Sequence, residues 1–266
     1  MQVNSTNMHT QKSLLLSILG IGLIIVVATF LGKETAKIIT DFTYIPVAGI
    51  LVILSSILSL RFRKTGNHGK AWLFFLGISI SWFIAETLWA ILELVYHTNP
   101  FPSLADVFYL TGYPFLMCFL IYYIKPVKKA ATKKMVIGAT IISASMMFPS
   151  IYMTYNSDPT VSPLENIIAT SYPIMDSVIF IPAMIGVILF FRGEVNFTWS
   201  LVCIAIILQV AGDTTFQVAT FTDTYYTGHP ADILLLWSYV FFCFGVYDHI
   251  RIFKKTEYHG ARPDLA

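Results

Sequence analysis

Apolar residues recur along this chain in long stretches, not in the short alternation of a half-buried strand. A helix crosses the hydrocarbon core of a bilayer with about 20 mostly apolar residues. Eight runs meet that measure, at roughly 13–31, 43–60, 71–95, 105–124, 135–153, 166–191, 197–218 and 230–249. They predict an all-α polytopic membrane bundle of eight transmembrane helices. The remaining segments are each too short for a second domain, which needs at least ~50 residues. The pattern therefore predicts a single transmembrane domain over 1–266, with 250–266 a short basic tail. The first run exceeds the apolar core of a signal peptide and lacks a small-residue cleavage site, so it reads as a retained anchor helix.

Composition agrees. Of 266 residues, 56% are hydrophobic and only 12% charged, about half the charged share of an ordinary soluble domain. So few charges exclude a disordered chain and a nucleic-acid binder. The positions of the charges then give an orientation, because cytoplasmic loops retain Lys and Arg. With the N-terminus inside, only Lys33 and Lys37 of the 17 Lys and Arg fall outside. Both termini are expected in the cytoplasm, with the protein in the cell membrane. The net charge of +2 thus conceals a basic inner surface beneath an acidic outer half.

The chain also contains a duplicated pattern. Glu86 is followed by Trp89, then Asp106 and Tyr113; Asp213 is followed by Phe216, then Asp232 and Tyr239. The acid-to-aromatic step is three residues in both, and the Asp-to-Tyr step is seven in both. Tyr44-Ile45-Pro46 in span two and Tyr172-Pro173 in span six extend the correspondence. The spacing predicts two parallel four-helix repeats related by an axis along the membrane normal.

Several acids, and no Lys or Arg, lie within the apolar runs. An intramembrane carboxylate faces the bundle interior and marks a functional site by default. Glu86 and Asp213 fall in the outer half of their spans, and Asp176 near the midplane. Helical spacing puts Trp82, Glu86, Trp89 and Glu93 on one stripe, Gln209, Asp213, Phe216 and Gln217 on another, Asp106, Tyr109 and Tyr113 on a third, and Tyr172 with Asp176 on a fourth. Convergence of these faces would build an outward-facing cavity from Glu86, Asp176, Asp213, Trp82, Trp89, Tyr113, Tyr172, Phe216 and Tyr239. Asp106 and Asp232 begin spans four and eight, where helix capping explains them. Tyr96, Tyr109, Tyr225 and Tyr226 read as an interfacial aromatic belt.

Carboxylates beside aromatic faces favour a small cation, an amine or quaternary ammonium above all. Metal spacing is absent, no facing histidines suit haem, and no intramembrane Lys could form a retinal Schiff base. No cofactor is expected. Cys118, Cys203 and Cys243 lie within spans as apolar filling. No nucleophile–base set shares a location, so an enzyme is not expected.

The string Pro102-Ser103-Leu104-Ala105-Asp106, with Tyr113-Pro114 after it, resembles a motif in the multi-pass N-terminal region of bacterial GGDEF/EAL signalling proteins. Glu86 with Trp89, Tyr172-Pro173 with Asp176, and Asp213 with Asp232 and Trp237 follow the same helix order. The likeness covers about residues 71–249, and its specific part is the Pro-Ser-x-Ala-Asp segment. The resemblance implies an input module that senses an unidentified signal, here without an output segment after span eight, so that it acts through a signalling partner. It carries over no catalytic residues. Three functions follow as expectations: a sensor-like or ligand-binding module in the lipid bilayer, a small proton- or cation-coupled transporter, and an accessory subunit of a membrane complex. Pro114, Pro149, Pro173 and Pro182 could break helices as a transporter requires.

Overall fold

A computed structural model describes residues 2–125, 128–155, 161–192 and 197–260. It is all-helical among these residues, and eight helices are long and apolar enough to cross a membrane. They are α1 (Gln2–Phe30), α2 (Lys33–Phe62), α3 (Gly66–Ala90), α4 (Leu104–Ile124), α5 (Lys133–Thr154), α6 (Pro163–Phe191), α7 (Phe197–Phe221) and α8 (Ala231–Gly260). α3 continues into a π-helical turn, Ile91–Val95.

The elements follow from the apolar runs, with three differences. α2 begins at Lys33, ten residues before the apolar run, because Glu34, Lys37 and Asp41 interrupt hydropathy without interrupting helix. The prolines do not break their helices: Pro114, Pro149, Pro173 and Pro182 all lie inside continuous ones. The C-terminal segment is helical to Gly260, while Arg262 lies outside the described residues.

Helix starts have chemical causes. Ser103 caps α4 by accepting from the Ala105 amide at 3.1 Å. Ser162 caps α6 by accepting from the Glu165 amide at 3.1 Å, with Pro163 in the first turn. These side chains occupy amides that have no partner within the helix.

Large apolar side chains cover the outside of the helices: Phe30 is 85% exposed and Leu16 70%. A hydrocarbon surround makes such a surface favourable.

Six helices form a closed ring in which α2 packs on α3, α3 on α4, α4 on α6, α6 on α7, α7 on α8, and α8 on α2. α1 lies outside it against α8 and α2, and α5 lies outside it against α6 and α7. Because the chain reverses at each short connection, the helix ends gather at two faces. One, the basic end, carries Arg61, Lys70, Lys125, Arg192 and Arg251; the other, the acidic end, carries Glu34, Glu93, Glu165, Asp223 and Asp232.

Toward the basic end the ring is filled. Trp72, Phe75, Phe119 and Phe242 are at most 1% exposed. Phe75 meets Phe119 and Phe242 edge-on at 5.0 and 5.5 Å between centroids, a favoured geometry for aromatic pairs. Toward the acidic end the ring stays open.

Candidate functional site

At the acidic end the ring helices, joined by Met153 and Thr154 of α5, enclose a cavity of about 400 Å³. Trp82 forms its floor. Its side chain is buried, its Nε1 donates to the Tyr109 carbonyl at 3.3 Å, and its ring meets those of Tyr239 and Phe242 at 5.9 and 6.1 Å. Gly112 permits this approach of α3 and α4, since a β-carbon there would occupy the space of the Trp82 indole.

Four tyrosine hydroxyls bind acids on other helices, two across the ring and two between neighbouring helices. From α8, Tyr239 Oη donates to Glu86 Oε1 on α3 at 2.8 Å. On α4, Tyr113 Oη lies 2.7 Å from Asp176 Oδ1 on α6 and 3.3 Å from Asp213 Oδ2 on α7. Tyr172 Oη of α6 donates to Asp106 Oδ1 of α4 at 2.7 Å. Tyr44 of α2 reaches the first turn of α8, 3.3 Å from the Asp232 carbonyl and 3.5 Å from its Oδ1. Each of the four joins one of α2, α3 and α4 to one of α6, α7 and α8. They fall into two reciprocal pairs: Tyr239–Glu86 with Tyr113–Asp213, and Tyr172–Asp106 with Tyr44–Asp232.

Asp106 completes a capping box on α4, whereas Asp232 holds an amide of the turn before α8; each uses only one oxygen. Asp106 Oδ2 accepts from the Ser103 amide, and Asp232 Oδ2 from the Gly228 amide, both at 2.7 Å. Their Oδ1 atoms face the tyrosines, and both residues line the cavity. Gly228 adopts φ +96°, where a side chain is strained, and a β-carbon would collide with the Ala36 backbone.

Eight of the nine residues expected to build the cavity line it: Glu86, Asp213, Trp82, Trp89, Tyr113, Tyr172, Phe216 and Tyr239. Asp176 does not. It lies one layer behind the wall, 3% exposed, with Oδ1 against Tyr113 and Oδ2 without a hydrogen-bond partner. Two tyrosines read as interfacial belong to the wall. Tyr109 meets the Trp89 ring at 6.3 Å. Tyr225 donates to Asp232 Oδ1 at 3.2 Å, and burial together with that carboxyl raises its hydroxyl well above the usual range, so it stays a donor.

Asp41 is the wall residue that the apolar pattern hides. It is 3% exposed, its Oδ2 has no hydrogen-bond partner, and it lines the cavity three residues before Tyr44. Its spacing from Tyr44 matches that of Asp106 from Tyr109, an available signal in a segment too charged to enter the apolar run. At the rim, Glu93 Oε2 accepts from Thr227 Oγ1 at 2.7 Å and Trp89 Nε1 at 3.2 Å.

Seven cavity-lining residues are Asp or Glu, and none of the described lining residues is Lys, Arg or His. The bases of α2 at this end are engaged elsewhere. Lys37 pairs with Glu34 at 2.8 Å, and Lys33 lies over the Tyr226 ring at 4.9 Å. Hydroxyls and amides orient the carboxyls without neutralising them. Among the described residues, no group of three or more His, Cys, Asp or Glu side chains is spaced to hold a metal ion.

Fold and cavity together define the class: a multi-pass α-helical membrane protein with an acidic, aromatic-walled cavity at one end. Comparison of the chain with models of known families, with curated proteins and with solved structures gave no match.

Proposed function

We propose that this protein is a membrane-embedded receptor that binds a small organic cation in the cavity at its acidic end. The observation that carries the reading is the lining itself, with its seven acidic residues, its aromatic walls and no basic group among the described residues. A carboxylate at mid-helix costs about 2.5–3.5 kcal/mol on insertion scales and needs a counter-charge or a proton. The fold supplies neutral donors instead. An organic cation supplies the missing charge and gains about 0.5–2 kcal/mol at each aromatic face it covers. The asymmetry of Lys and Arg favours a cytoplasmic basic end with both termini inside, so that the cavity opens outward from the cell membrane. The aromatic floor favours a receptor over a conduit. It accords with the input-module role that the resemblance to GGDEF/EAL signalling regions implies.

A screen of thermal stability tests the proposal on the purified protein. Alkylammonium and quaternary ammonium salts should raise the melting temperature at constant ionic strength, and Glu86→Gln and Asp213→Asn should abolish the rise. Equal shifts with sodium chloride alone would contradict it.

One observation favours a second reading, a proton-coupled carrier. Tyr113 Oη faces both Asp176 and Asp213 but has a single proton to donate. A proton shared by the two carboxyls satisfies that geometry and provides a relay behind the wall. In liposomes, a carrier would show proton flux driven by a cation gradient and lost in Asp176→Asn, whereas a receptor would show none.

A further inference from the structure

The acids of the cavity stand in two tiers with an aromatic belt between them. Asp106 and Asp232 occupy the first turns of α4 and α8, at the cavity mouth. Tyr113 and Tyr239 lie seven residues further along the same two helices, about 10 Å deeper at 1.5 Å per residue. Their hydroxyls bind the second tier, Asp213 and Glu86. The α7 helix gives the same depth independently. Asp213 lies eight residues, about 12 Å, below the helix end at Phe221.

Between the tiers the wall changes character. Trp89 is three residues above Glu86, Phe216 three above Asp213, and Tyr109 three below Asp106. Their rings form a continuous belt, with Trp89 6.3 Å from Tyr109 and 6.4 Å from Phe216. The cavity therefore presents, from mouth to floor, carboxyls, aromatic faces and carboxyls again.

A ligand with one charged centre would meet one tier and leave the other without a counter-charge. The upper tier also holds a buried carboxyl oxygen that lacks a partner. Asp41 Oδ2 is buried in the cavity wall, one helical turn nearer the mouth than Tyr44, with no hydrogen-bond donor. An ammonium group carries three donors and no acceptor, which suits a site made of acceptors. We propose that the cavity takes a linear aliphatic diamine or polyamine, one ammonium group in each acidic tier and the methylene chain along the Trp89–Phe216–Tyr109 belt. This rests on the cation-receptor reading and narrows it to a ligand class. Contact distances at both ends shorten the span that the ligand must bridge to that of a butane to hexane diamine.

Calorimetric titration of the full-length protein in nanodiscs tests it, with propane to hexane α,ω-diamines, the matched n-alkyl monoamines and tetramethylammonium as probes. The best diamine should bind at least about tenfold more tightly than the monoamine of equal chain length. Asp41→Asn in the upper tier should bring the diamine down to the monoamine's affinity, whereas Glu86→Gln in the lower tier should abolish binding of both amines. Equal affinity of diamine and monoamine in the unmodified protein would overturn the two-tier assignment while leaving the cation-receptor reading intact. Binding of no amine at all would overturn both. The ratio in the unmodified protein decides the matter even where a variant fails to fold.

Discussion

Glu86 and Asp213 are held by neutral phenols, so removing a phenol and removing a charge have different consequences. A hydrogen bond to a charged group contributes about 1.5–3 kcal/mol. Tyr239→Phe leaves the Glu86 charge in place without its donor from α8. Its thermal stability should fall by that order, while cation binding persists. Glu86→Gln should retain stability, because an amide oxygen still accepts from Tyr239, and should lose cation binding. Parallel melting and binding measurements on the two variants separate the roles; equal loss of binding in both would show that the phenol itself contacts the ligand. The same distinction explains what could be read from the residues alone. Glu86, Asp213 and their aromatic companions repeat at fixed helical spacing within apolar runs, which makes them visible. Asp41 is hidden because Lys33, Glu34 and Lys37 surround it, and charge obscures the run to which it belongs. Asp176 shares a helix face with Tyr172, yet Tyr113 comes between it and the cavity, a tertiary relation that no spacing encodes.

At the scale of elements, the cavity depends on where α4 and α8 begin. Ser103→Ala removes a cap worth about 1 kcal/mol but keeps the backbone amide that holds Asp106, so it should lower stability by that order and leave cation affinity largely unchanged. Gly228→Ala forces a strained φ of +96° against Ala36 of α2. It should displace Asp232 and cost about 1–2 kcal/mol, measured as a fall in melting temperature relative to the unmodified protein. The α7–α8 loop also has a pH response. Burial lowers the His229 pKa below its ordinary value, so the folded loop prefers neutral imidazole. That contribution is present above the ordinary histidine range and is lost as pH falls through the folded value. Protection factors of the amides in residues 222–229, corrected for intrinsic exchange, should therefore fall on acidification through that interval, and His229→Gln should remove the change. The helices themselves were legible from the 20-residue apolar runs. The starts of α2 and the contacts of Tyr225 and Thr227 were not, because one is a charged helical turn and the others are loop residues brought in by the fold.

For the whole molecule, charge and cavity share one axis. Bases gather at the end where Trp72, Phe75, Phe119 and Phe242 fill the ring; acids gather where it is open. The sequence correspondence between Glu86–Tyr113 and Asp213–Tyr239 has a counterpart in the crossed tyrosine–acid bonds and in the helix neighbours. The packing of α2, α3, α4 and α6 reproduces that of α6, α7, α8 and α2. We read this as two four-helix repeats around an axis through the ring, with the cavity on the axis. The likeness is broken at α1, which packs on α8, while α5 packs on α7. It is broken again by Asp41 and Asp176, one helical turn above Tyr44 and one below Tyr172. These departures leave Asp41 in the cavity wall and Asp176 behind it. The orientation proposed from the bases predicts that a cysteine at Tyr226 is labelled by an impermeant maleimide on intact cells and one at Lys64 is not. The reverse pattern would turn the cavity toward the cytoplasm. The most direct test of the central claim is calorimetric titration of the purified protein with butane diamine at fixed ionic strength. Saturable one-to-one binding is expected, and Glu86→Gln and Asp213→Asn should abolish it. Absence of binding in the unmodified protein, or binding undiminished in both variants, would contradict it.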